Sequence, residues 1–187
     1  QVIFAANENE RRPVASVTKI MTILLAMEAL ESGRVSMEDS VTVSKNAASM
    51  GGTQILLDVG ETQSFEILLK SMIVGSANDA AVAIAEHLYG SVEQFVAKMN
   101  ERAAELGMSD THFVNCTGLP APDHYTTARD VAKLSAQLDL HPLYYRYSTN
   151  WMDEIRHRGG RVTALTNTNR LVRFYPCLLY TSDAADE

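Results

Sequence analysis

Cysteine is scarce in this 187-residue chain, present only as Cys116 and Cys177. Two positions make neither a disulfide framework nor a metal cluster, although a single bridge stays open on spacing alone. The five histidines (His87, His112, His124, His141, His157) are scattered without zinc-ligand spacing, so no metal and no cofactor is expected. No apolar run approaches the roughly 18 residues of a membrane span. The richest stretches, 20–30 and 80–85, are interrupted or bounded by Thr22, Glu28 and Glu86. Basic residues are outnumbered 16 to 23, for a net charge of −7, which argues against binding nucleic acid through a basic surface. An initiator methionine and a signal-peptide pattern are also lacking, and both ends read as cut, so no targeting segment speaks to location.

What is present suits one globular domain. Apolar residues make up 46% and charged residues 21%, enough for a core and unlike a disordered chain. Residues 1–6 read as a strand, followed by a polar turn to Pro13. Residues 16–32 read as a helix stopped by Gly33. Its apolar residues cover nearly every face, which marks a helix buried in the middle of a domain.

Short strands are expected at 40–43 and 54–57, and helices at 65–74 and 80–89. Ser91 and Gln94 form a capping-box pair opening another helix, whose Phe95, Met99 and Ala103 share one face. A strand at 111–114, a Gly/Pro loop, a helix from Thr127 to about 140 closed by Pro142, and a hairpin of 151–156 with 161–166 complete the pass. The class is α+β, with too few strands for a complete sheet.

Chemistry concentrates at the start of the first helix. Ser16 and Lys19 stand three apart, which puts both side chains on one face about 5–6 Å apart at Cβ. The positive helix end and burial both depress an ammonium's pKa there. A lysine that sheds its proton near neutral pH serves as general base to a serine hydroxyl. The Ser16 amide, at the same helix end, points where an oxyanion would form. An inert lysine in a core helix would be costly, which weighs against a plain serine cap followed by an exposed lysine.

The segment Pro13-Val14-Ala15-Ser16-Val17-Thr18-Lys19-Ile20-Met21-Thr22 resembles the active-serine segment of the D-alanyl-D-alanine carboxypeptidases, the low-molecular-mass penicillin-binding proteins. That family carries a second element, S-x-N, of which this chain offers three: Ser44-Lys45-Asn46, Ser76-Ala77-Asn78 and Ser148-Thr149-Asn150. Only Ser76-Ala77-Asn78 lies between two apolar helices, and it continues Asp79-Ala80-Ala81 as the family does. Gly107-Met108-Ser109-Asp110-Thr111-His112-Phe113, Gly118-Leu119, His124-Tyr125-Thr126-Thr127-Ala128-Arg129-Asp130 and Thr166-Asn167-Thr168-Asn169-Arg170-Leu171 are similar to further family segments, in family order.

The resemblance implies a β-lactamase/transpeptidase-like fold, incomplete in this chain. It also implies a nucleophile Ser16, a general base Lys19, a proton-relaying Ser76, and an Asn78 that bonds both the substrate amide and Lys19. The implied substrate is a peptidoglycan pentapeptide ending in D-Ala-D-Ala, with β-lactams as covalent inhibitors. Action would be extracytoplasmic, with membrane anchoring through a missing C-terminal segment.

The family's third motif, K-T-G, is absent. Cys116-Thr117-Gly118 lacks the lysine and falls in the wrong loop, so it is set aside. After Pro176 the chain continues Cys177-Leu178-Leu179-Tyr180-Thr181-Ser182 and onward, similar to a translated sequencing adaptor. The expected division is therefore a partial catalytic domain at 1–176 and a non-native tail at 177–187. Two other functions stay open. A serine β-lactamase shares S-x-x-K, but E-x-x-N occurs nowhere here. A wall-binding pseudoenzyme would keep the fold without turnover. His124 receives no role, and Arg156, His157, Arg158 and Arg161 read as a solvated hairpin tip.

Overall fold

The computed structural model describes residue 2 and residues 4–174 of the chain. In chain order the elements are β1 (Arg12–Pro13), a 3-10 turn (Ser16–Thr18), α1 (Lys19–Glu31), β2 (Ser40–Thr42), α2 (Lys45–Ala48), β3 (Thr62–Ser64) and α3 (Phe65–Gly75). There follow α4 (Asn78–Tyr89), α5 (Val92–Glu105), β4 (Tyr125–Thr126), α6 (Ala128–Leu138), α7 (Pro142–Ser148), β5 (Met152–Arg156), β6 (Val162–Thr166) and α8 (Leu171–Phe174).

Helix α1 is apolar on every side, and the structure buries it accordingly. It touches α3, α4, α5 and α6, and Met21, Leu24 and Ala26 have no exposed surface. Of its neighbours, α4 is also buried all round over 78–85, whereas α5 is one-sided, burying Phe95, Met99 and Ala103, spaced four apart. Side-chain caps fix the starts of α3, α5 and α6. The Ser64 hydroxyl accepts from the Ile67 N–H, Ser91 from Gln94 and Thr127 from Asp130, each typically worth about 1 kcal/mol. Between α3 and α4 the chain turns on one residue, Ser76, in the left-handed region at φ 56°.

Among the described residues the strands form three separate antiparallel pairs, β1–β4, β2–β3 and β5–β6. The β5–β6 hairpin pairs Met152 with Thr166 through Arg156 with Val162. Its alternation turns Ile155 and Leu165 into the core. The class is α+β, as expected.

Several expectations are corrected. Residues 4–6 are not a strand, and residues 1 and 3 lie outside the described residues. The 54–57 stretch is not a strand either: the Ile55 and Leu57 N–H groups donate to the Asp79 carboxylate instead of a neighbouring strand. At 111–114 only a single bridge forms, His112 to Tyr125, because the Phe113 and Val114 N–H groups are taken by the side chains of Asn100 and His124. Pro142 opens α7 as its first residue, a position where its missing N–H costs nothing. The first helix starts as a 3-10 turn, with Lys19 the first α-helical residue. The boundary expected after Pro176, and the tail beyond it, lie outside the described residues.

Candidate active site

The 3-10 turn places Ser16 at the surface and Lys19 inside, with 3% of its area exposed. Lys19 Nζ lies 3.3 Å from Ser16 Oγ and donates to the Thr117 carbonyl at 2.7 Å. Among the described residues no carboxylate bonds the amine. Burial is the largest influence on it and, against a smaller opposing pull from Cys116, lowers its pKa from 10.5 to about 8. The Cys116 thiol, a potential counter-charge, is itself pushed up by burial to about 12 and stays neutral. With one N–H committed to Thr117, the free amine can turn its lone pair to the serine hydroxyl.

The Thr117 carbonyl is aimed by a tightly wound loop. Asn115 Oδ1 accepts from the Thr117 and Gly118 N–H groups, and Asn115 Nδ2 donates to the Leu119 carbonyl. Thr22 Oγ1 donates to the Cys116 carbonyl at 2.8 Å. Gly118, at φ +83°, presses on the turn so closely that a Cβ there would stand 2.0 Å from the Ala15 carbonyl oxygen. Only glycine fits.

A second wall comes from the α3–α4 corner. Ser76 Oγ is buried and has no hydrogen-bond partner among the described residues. Asn78, 4% exposed, receives support at its N–H from the Thr53 carbonyl and donates Nδ2 to the Gly51 carbonyl at 2.8 Å. Gly52 lies between the two walls: a Cβ on it would meet Asn78 Nδ2 at 2.9 Å and Leu119 Cδ2 at 3.6 Å. Asp79, fully buried, accepts from the N–H groups of Ile55, Leu57 and Ala80, which ties residues 53–57 to the start of α4.

Ser16 and Lys19 are thus in hydrogen-bond reach, and Gly52 lies between Asn78 and the Leu119 side chain of the loop that covers Lys19. The bond between Asn78 and Lys19 that the family resemblance implies is not made among the described residues; each nitrogen bonds a loop carbonyl instead. The other two S-x-N tripeptides have structural tasks. Ser44 caps α2, and Asn46 bonds Glu86 at the surface. The Ser148 and Asn150 carbonyls accept from Asn167.

Two residues at the site escaped sequence reasoning. Thr117 acts through its backbone, which no side-chain pattern announces. His124 is buried and bonds Thr18 at 2.7 Å; its place in a segment similar to the family was the available signal. Among the described residues no group of three or more metal-ligating side chains assembles.

A buried lysine beside an exposed serine at the mouth of an interior helix is the arrangement of the S-x-x-K serine acyl-transfer proteins. The family described as D-alanyl-D-alanine carboxypeptidase, peptidase S11, matches residues 1–179, and the chain belongs to it. It is 45% identical over 176 residues to D-alanyl-D-alanine carboxypeptidase DacF of Bacillus subtilis, covering 94% of this chain and 45% of that protein. Its fold is similar to that of D-alanyl-D-alanine carboxypeptidase DacD from Francisella tularensis. There the TM-score is 0.86 at 27% identity, over 94% of this chain and 54% of that one. For penicillin-binding protein 6B from Escherichia coli the TM-score is 0.82 at 34% identity, over 92% and 55%. The fold is thus of the β-lactamase/transpeptidase kind. The chain spans about half the length of the curated relatives it matches.

Proposed function

We propose that residues 1–176 are part of the catalytic domain of a serine-type D-Ala-D-Ala carboxypeptidase that works through an acyl-enzyme on Ser16. The observation that carries this reading is the buried Lys19 amine, 3.3 Å from the Ser16 hydroxyl and lowered to about pKa 8. Ser16 Oγ attacks the carbonyl between the two D-alanines while Lys19 Nζ takes its proton. Developing negative charge on the carbonyl oxygen falls at the N-terminal end of α1, where backbone N–H groups point outward. Ser76, whose hydroxyl has no partner among the described residues, passes a proton to the departing D-alanine. Asn78 bonds the substrate amide, and water then releases the acyl group.

The substrate is a peptidoglycan stem peptide, and β-lactams would acylate the same serine. Wall peptides lie outside the cytoplasmic membrane, which puts the working protein there. Among the described residues no helix is long and apolar enough to cross a membrane, so an anchor would come from a further segment. No Lys-Thr-Gly tripeptide occurs in the 187 residues. Turnover is therefore expected of the full-length protein and little of these residues alone.

Labelling the full-length protein with a fluorescent penicillin and mapping the label by peptide mass spectrometry tests the reading. Label on Ser16, together with release of D-alanine from an acylated L-Lys-D-Ala-D-Ala peptide, is the expected result. Label elsewhere overturns it. Label without D-alanine release would overturn the carboxypeptidase reading and identify a wall-binding protein without turnover.

A further inference from the structure

The turn carrying Ser16 and Lys19 contains a third polar residue, Thr18, with no part in the reaction above. Thr18 is 1% exposed and marks the change from 3-10 turn to α-helix, with Ser16 before it and Lys19 after it. Neither Ala15 nor Thr18 caps this start with its own side chain, so local sequence does not fix the turn. Thr18 Oγ1 instead lies 2.7 Å from His124 Nε2, across 106 residues of chain.

The proton positions follow from the ring's other nitrogen. His124 Nδ1 accepts from the Val114 N–H at 3.0 Å, and a backbone amide can only donate. The neutral ring therefore holds its hydrogen on Nε2 and donates it to Thr18. Burial, with His112 as the titratable neighbour, lowers the pKa of His124 and favours this neutral form. The edge of Phe113, 5.9 Å away between centroids, completes the packing of the ring.

We propose that His124 is a positioning residue: held by Val114, it fixes Thr18 and thereby the register of the Ser16 hydroxyl against the Lys19 amine. This rests on the reading of Ser16 as nucleophile and Lys19 as base. Three contacts from one loop then hold the turn: Gly118 against Ala15, the Thr117 carbonyl on Lys19, and His124 on Thr18. The first two bear on Ala15 and Lys19, and the third pins the junction between turn and helix.

The test measures the rate of penicillin acylation at saturating concentration in the full-length protein, for His124→Leu, His124→Gln, Thr18→Val and the double variant with Leu and Val. His124→Leu and Thr18→Val should each slow acylation about ten-fold or more, with little change in the half-saturating concentration. The double variant should be no slower than either alone. Glutamine can accept from Val114 and donate to Thr18, so His124→Gln should recover most of the rate. Wild-type rates in a folded His124→Leu or Thr18→Val overturn the proposal, as do multiplying effects in the double variant or a glutamine no better than leucine. A wild-type protein that takes no label at Ser16 would instead sink the reading of the nucleophile.

Discussion

Lys19 and His157 are both basic side chains withdrawn from water, and the protein surrounds them in opposite ways. Among the described residues Lys19 has a serine hydroxyl and a carbonyl as partners but no carboxylate, so burial strips the amine of its charge near pH 8. His157, its side chain wholly buried, faces the Glu61 carboxylate at 2.9 Å through Nδ1 and the Thr163 hydroxyl at 2.8 Å through Nε2. Thr163 spends its own hydrogen on the Ile55 carbonyl, so Nε2 donates to it. Burial pushes the Glu61 carboxyl up. Hydrogen bonds from the Asp58 N–H, Gln63 and His157 outweigh it and hold the carboxyl below its usual value. Fully partnered, the His157 cluster joins the β5–β6 hairpin to β3; left short of a counter-charge, Lys19 is suited to the base's part proposed for it.

The sharpest break of this contrast is chemical. Lys19→Met should lower penicillin acylation by about a thousand-fold or more without loss of folding stability in urea, whereas a structural lysine would show the reverse. Next in size, Glu61→Ala should cost about 3 kcal/mol in the same titration, because it strands a buried histidine without its carboxylate. Acylation would change far less.

The third prediction follows Lys19 through pH. Unfolded, it holds its proton to about 10.5; folded, only to about 8. Between those values the unfolded chain carries more protons, so stability should rise with pH across that window, by about 3 kcal/mol. The rise should be missing in Lys19→Met. Glu61 acts at the other end: its stabilisation is present above pH 4.5 and is lost as pH falls through its lower folded value. Smallest in energy is the serine pair. Ser44→Ala removes a helix cap and should cost about 1 kcal/mol with no effect on labelling. Ser76→Ala removes a hydroxyl without a partner among the described residues, so it should cost little stability yet slow D-alanine release.

Local chemistry was the legible part. The all-round apolar helix, the Ser16–Lys19 spacing and the caps at Ser91 and Thr127 depend on neighbours within one or two turns, and they stand where the sequence puts them. Contacts set by distant chain were not legible. The Ile55 and Leu57 amides go to a carboxylate more than 20 residues away, and a strand pattern cannot anticipate a side chain as its partner. The basic run at 156–161 is no solvated tip at His157. One sign was available there: alternation along β5 puts His157 on the face of buried Ile155, two residues before it.

Gly118 carries a last implication. Because its bare α-carbon must nest against the Ala15 carbonyl before Thr117 can cover Lys19, the amine stays wet and charged in any chain whose 115–119 loop has not yet docked. If Ser16 is the nucleophile proposed, a half-assembled molecule thus carries a disarmed serine, and reactivity arrives only with the final closure of the tertiary structure.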